Sequence, residues 1–241
     1  IDETDLSYRV PDGGDLFVYD FQITATNYSF GVVSEESDSG TIDFEYFTTS
    51  LPAVLAEAWS DFEVRKQKRT ASGGKIDSTQ SINRAYATRV RNVSSDEGFY
   101  IFINDEGAFY GSTYLPPLVA NSSFSENWQF RYDDGLQRKY GVSTFTVSGI
   151  EVLETAIGRI ETFRISTEES TELYSKSAFS DNYTFLEEIS EEDAVAWIHP
   201  KLGLLRLEAT AKLDETPSSE QSYTQGKIVY EIRSTNVSLP Q

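Results

Sequence analysis

In the stretch DLFVYDFQITATNYSFGVV, Phe17, Tyr19, Phe21, Ile23 and Ala25 fall on one phase of a two-residue alternation, and Asp20, Gln22, Thr24 and Thr26 fall on the other. Successive side chains of a strand point to opposite faces, so this period fits a half-buried β-strand and not an amphipathic helix. TIDFEYF repeats the pattern, with Ile42, Phe44 and Tyr46 set against Asp43 and Glu45. The intervening SEESDSG (34–40) reads as a polar loop, which makes the pair a hairpin. The 14 Tyr and 15 Phe favour pleated surfaces, whereas strong helix formers gather in a few clusters, so the chain reads as mainly β.

One such cluster carries a clear helical period. In SLPAVLAEAWSDF, Leu51, Val54, Leu55, Ala58, Trp59 and Phe62 line a single face, with Ser50 as cap and Pro52 tolerated in the first turn. This predicts a helix over about 52–62, whose apolar stripe must cover a curved sheet. A short helical turn is expected at about 191–197, where Ser190 stands three residues before Asp193. GFYIFI (98–103) is apolar on both phases and needs cover on both sides. Together these features predict a strongly curved antiparallel sheet or incomplete barrel, with helix and sheet enclosing an apolar cavity. Its expected lining is Trp59, Phe62, Phe99, Phe102, Tyr110 and Trp128. The whole chain, 1–241, reads as a single β-rich domain with a candidate internal boundary near 114–127, where Pro116 and Pro117 interrupt regular structure.

Charge narrows the partners. Lys and Arg number 20 against 39 Asp and Glu, giving a formal charge of -19, and such a field repels phosphate backbones. Nucleic acid is therefore excluded as an expected partner. The basic block Arg65, Lys66, Lys68 and Arg69 reads as a solvated or charge-blunted element, with docking of an acidic protein partner as its sharper reading. Edge strands offer a second protein-partner surface. With no Cys there is no thiolate chemistry, disulfide framework or cysteine zinc site. Five of the eight Asn begin an Asn-x-Ser/Thr triplet (Asn27, Asn92, Asn121, Asn182 and Asn236), and these are read as unmodified strand-end and turn residues. A start at Ile1 without Met fits removal of a leader, and hence a periplasmic or extracellular protein, or a processed lipoprotein.

Catalytic signals are sparse. There is one His, and no Gly-x-Ser-x-Gly elbow, phosphate loop or dinucleotide fingerprint. His199 precedes Pro200 in WIHPKLGLLRLEA, a composition suited to a turn entering a strand, so it is assigned to a turn and not to chemistry. No metal ligand set and no cofactor is expected. Carboxylates are the remaining catalytic currency, and a facing pair is all that a glycosidase requires.

VSGIEVLETAIGRIETFRI (147–165), followed after an insert by WIHPKLGLLRLEA (197–209), resembles a pattern of bacterial exported proteins of uncharacterised families. In shape these are similar to the outer-membrane lipoprotein-carrier superfamily, an incomplete β-barrel closed by a helix over its concave face. The resemblance implies that Gly149, Gly158, Pro200 and Gly203 are fold-defining turn residues. It also implies a non-enzymatic exported protein that binds or carries a hydrophobic small molecule, a lipid or acyl chain, on the concave face. Two alternatives stand beside it: a carbohydrate-binding or carboxylate-dependent carbohydrate-active β protein, with Trp59, Trp128 and Trp197 stacking on sugars, and an assembly factor that pairs through edge strands.

Overall fold

The computed structural model describes residues 1, 5–9, 11–29, 32–48, 59–70, 76–86, 89–95, 98–101, 112–132, 135–179, 182–215 and 222–238. Every regular element among them is a strand. The first seven are β1 (Leu16–Ser29), β2 (Val32–Thr48), β3 (Trp59–Thr70), β4 (Ile76–Tyr86), β5 (Arg89–Ser95), β6 (Gly98–Ile101) and β7 (Ser112–Leu115). There follow β8 (Ser122–Tyr132), β9 (Gln137–Thr155), β10 (Gly158–Ser175), β11 (Thr184–His199), β12 (Gly203–Glu215) and β13 (Ser222–Thr235).

All thirteen join one antiparallel sheet in the order β4-β3-β2-β1-β13-β12-β11-β10-β9-β8-β6-β5-β7, and β4 also pairs with β5. The sheet thus curls until its two flanks meet. The seam is thin: β5 touches β6 through two residue pairs and β7 through three, while β6 meets β8 through four. The result is an incomplete barrel and not a regular closed one.

Alternation decides which face is inside. On β1, Phe17, Tyr19 and Phe21 are buried while Asp20 and Gln22 are exposed, as the sequence pattern requires. The same phase continues through Ile42 and Phe44 on β2, Phe145 and Val147 on β9, Phe163 and Ile165 on β10, Ile198 on β11, Leu205 on β12 and Ile232 on β13. Leu115 and Leu118, which flank the Pro116-Pro117 break, belong to this core, and Pro116 is fully buried. Tyr8 in the segment before β1 packs there too, and its hydroxyl donates to the Pro116 carbonyl at 2.6 Å.

Several expectations need correction. The SEESDSG segment is not a loop: β2 runs through it and pairs Ser34–Gly40 with Phe21–Asn27 of β1. Its polarity reflects an exposed sheet rim, since residues 32–37 are all solvent-exposed. The turn expected at 191–197 is strand as well. Ala194, Ala196 and Ile198 are buried in alternation, and a β-bulge between Glu192 and Val195 takes up the irregularity that resembled a helical cap. Of the helix expected over about 52–62, Trp59–Phe62 instead open β3, paired along their length with β4 and, at Phe62, with β2 as well. Backbone pairing within the sheet outweighs a helical spacing carried by side chains alone. Residues 51–58 lie outside the described residues, and no helix occurs among those described.

Gly158 and Gly203 open hairpin strands after tight turns, as expected, but Gly149 is no turn residue. It sits inside β9 with φ 141°, opposite Arg164, where the β9–β10 register shifts. That backbone conformation favours glycine, and beyond the shift Leu153 is buried while Val152 is exposed. Two substitutions on paired residues test this facing. Phe163→Ala should cost about 3–5 kcal/mol of unfolding free energy in urea, whereas Ile150→Ala, at a position that is 38% exposed, should cost less than about 1 kcal/mol.

Candidate ligand site on the concave face

The inner positions grade from dry to open along β1 and β13. Phe17, Tyr19, Phe21 and Ile232 are 1–4% exposed, whereas Ile23, Ala25, Ile228 and Tyr230 further along the same inward phase are only half-buried. On the wall formed by β8, β9 and β10, Ser143 is buried and Glu126 and Glu169 are half-buried in the row of Ala25, while Trp128, Phe130 and Leu173 in the rows beyond are buried. A filled apolar floor therefore supports a concave surface that is partly open.

Register defines the rows of this surface. Phe124 stands opposite Phe145, and their rings stack 4.8 Å apart. In the next inward row Glu126, Ser143 and Glu169 are successive partners, and the ladder continues through Glu191, Ala211, Gly226 and Ala25. One row on, Trp128 lies opposite Gly141, which lies opposite Thr171.

Trp128 occupies the space that a side chain at 141 would need. A Cβ there would fall 2.1 Å from the indole ring, so glycine is required for the ring to lie flat on the strand. The indole Nε1 donates to Ser143 Oγ at 2.9 Å, and Ser143 Oγ donates to Glu169 Oε2 at 2.7 Å. Thr171 supplies Glu169 with a second hydrogen bond. Burial pushes the Glu169 carboxyl above the ordinary glutamate range, aided by the nearby Glu126 charge and opposed by the bonds from Ser143 and Thr171 and by Lys139. Lys139 itself holds its ammonium 5.5 Å over the Tyr132 ring.

Of the residues expected to line a cavity, Trp128 is thus at the concave surface. Trp59 and Phe62 lie on β3, opposite Tyr86 and Asn83. Phe99 lies on β6 opposite Arg131, so in that strand it is Tyr100 that shares a register row with inward Phe130. Phe102 and Tyr110 lie outside the described residues. The basic block falls on β3, where Lys66 and Lys68 pair with Phe44 and Ile42. Glu169 was not among the expected lining residues, although a signal for it existed: it interrupts the apolar phase Phe163, Ile165, Leu173, just as Glu126 interrupts Phe124, Trp128, Phe130.

His199 is a turn residue. It ends β11, is 4% exposed, and accepts hydrogen bonds on Nδ1 from the Lys201 and Leu202 amides at 3.0 and 3.2 Å. The imidazole caps the turn, which fixes Nδ1 as the unprotonated nitrogen. Burial lowers its pKa to about 4, so it is neutral at pH 7. Two of the Asn triplets are likewise structural. Asn121 adopts φ 58° in the turn before β8, and Asn236 bonds the Leu16 amide and the Gly14 carbonyl, each at 2.8 Å. Beside the His199 turn, Tyr8, Arg9, Phe17, Tyr46, Leu115 and Leu202 border a cleft of about 30 Å³, room for a water or two and not for an acyl chain. Among the described residues no group of three or more Asp, Glu or His is placed to hold a metal ion.

The chain matches no protein-family profile and no curated protein. Among solved structures it is similar to a suspected lipoprotein from Parabacteroides distasonis, at 13% identity and TM-score 0.44 over 96% of this chain and 98% of that one. It is similar also to a suspected exported protein with a YmcC-like fold from Bacteroides fragilis, at 10% identity and TM-score 0.34 over 96% and 99%. The ywiB protein of Bacillus subtilis matches at 7% identity and TM-score 0.25 over 90% and 92%.

Two outcomes follow from this geometry. Gly141→Ala should destabilise the protein by about 1–3 kcal/mol and shift the tryptophan emission, because the indole must leave its seat. For His199, the unfolded chain takes up a proton near pH 6.5 and the folded chain only near pH 4, so its contribution is complete above pH 6.5 and lost as pH falls through that window. His199→Asn keeps an acceptor for the turn but cannot titrate. Relative to wild type it should gain about 2 kcal/mol on going from pH 7 to pH 4, measured as the difference in urea unfolding free energies.

Proposed function

We propose that this chain is a non-enzymatic, extracytoplasmic binding protein that takes a hydrophobic ligand, a lipid or acyl chain, on the concave face of its curled sheet. The observation that carries this reading is the gradient along β1 and β13, where an inward apolar phase that is dry at Phe17–Phe21 becomes half-open at Ile23, Ala25 and Ile228. Apolar positions left wet on the inside of a fold favour an apolar occupant. The placing outside the cytoplasm rests on the turn signatures at 147–165 and 197–209, whose Gly158 and Gly203 open hairpin strands as that pattern implies.

Sugar stacking finds less support. Trp128 is covered, and Trp197 is half-buried with its Nε1 donating to Glu151 and the Arg206 guanidinium 5.3 Å over its ring. On the outer face Tyr140, Tyr174 and Phe185 meet edge to face at 85° and 76°, which presents no flat platform.

The test is a titration with the neutral fluorophore N-phenyl-1-naphthylamine. Wild type should show saturable enhancement, and Ala25→Trp, which fills the open wall, should weaken it about tenfold while urea stability stays within about 1 kcal/mol. Absence of saturable binding would remove the carrier reading. Binding indifferent to Ala25→Trp would move the ligand off this face.

A further inference from the structure

We infer that the hydrophobic occupant of the concave face carries a protonated amine at its polar end, seated on the Glu169 carboxylate, and that ligands with anionic ends are turned away. This rests on the reading of the concave face as the ligand site and names the chemistry of that ligand.

Glu169 stands on the inward phase of β10, in a strand whose other inward residues near it are Ile165, Thr167, Thr171 and Leu173. A carboxylate in that phase is held in place by its neighbours: Ser143 donates to Oε2 at 2.7 Å, Thr171 donates a second bond, and the Trp128 indole fixes the serine from behind at 2.9 Å. An ionised carboxylate has about four acceptor positions, so two protein donors leave about two for an outside donor such as an ammonium group. The groups facing it decide the sign of that donor. Glu126 occupies the same row on β8 and acts on Glu169 as a like charge. Lys139, which lies near enough to act on Glu169, holds its ammonium over Tyr132. An anionic head would add a further negative charge to this row, whereas an ammonium would offset the burial and, to a lesser degree, the Glu126 repulsion that raise the Glu169 carboxyl. The apolar tail has its own path. The row runs from Glu169 through Glu191 to Ala211, Gly226 and Ala25, where residues without bulk lead to the half-open positions Ile23 and Ile228.

The experiment compares two ligands with the same chain, dodecylamine and dodecanoate, each below its micelle-forming concentration at pH 7, as competitors for bound N-phenyl-1-naphthylamine. On wild type, dodecylamine should displace the fluorophore at a concentration at least about tenfold lower than dodecanoate, in line with a charge-assisted bond inside the fold. Glu169→Gln keeps the shape and the acceptor for Ser143, and it changes the total charge by only one unit. It should bring the two competitors within about twofold of each other while the fluorophore itself still binds. Equal or stronger displacement by dodecanoate on wild type would overturn the inference and leave the carrier reading standing. Persistence of the amine preference in Glu169→Gln would overturn it too, by assigning the preference to the acidic surface at large. Failure of the fluorophore to bind wild type would overturn both.

Discussion

Nearly every inward side chain of this protein is placed by one continuous antiparallel ladder, whose longest rungs join β9 to β10. That pair runs from the turn at Ala156–Ile157 to Gln137 and Ser175, and it carries a single register shift, at Gly149 and Arg164. Backbone amides and carbonyls that leave water must find partners, so each strand edge fixes the position of the next. A twisted sheet extended in this way curls. Curling turns one phase of β1, β2, β8, β9 and β10 into an interior.

The β character and the inward phase of β1 and of the inward half of β2 were legible from the two-residue period of Phe17, Tyr19, Phe21, Ile42 and Phe44. So was the role of His199, because the only imidazole in the chain stood before Pro200 at a strand entrance. What misled was local spacing read without partners. Trp59 and Phe62 stand three residues apart on a strand as readily as on a helix, and Ser190 with Asp193 mimics a cap where β11 has a bulge. Ladder partners some distance away in sequence decide both cases, and no window of a dozen residues contains them. The candidate site was half legible for a related reason. An aromatic such as Trp128 announces an interior, while a carboxylate such as Glu169 is taken for surface unless its phase is followed along the strand.

Glu169 and Ser143 also illustrate how a polar group is kept inside a β fold. Ser143 is 1% exposed, yet both roles of its hydroxyl are used, as acceptor for Trp128 and as donor to Glu169. A serine in that position without the indole would leave a lone pair unmet, and a carboxylate without the serine would be desolvated for no return. The three side chains and the bare backbone of Gly141 therefore stand or fall together.

The pairing of β1 with β13 brings residues 17–29 against 222–235, across nearly the whole length of the chain. During synthesis the β1–β2 hairpin can form early, but its other edge has no neighbour until the last strand has emerged. Phe17, Tyr19 and Phe21 then face an interior whose opposite wall does not yet exist. Closure of this pair must wait for β13, is slow by reason of loop closure over some two hundred residues, and the chain without it is the form most exposed to sticking to itself.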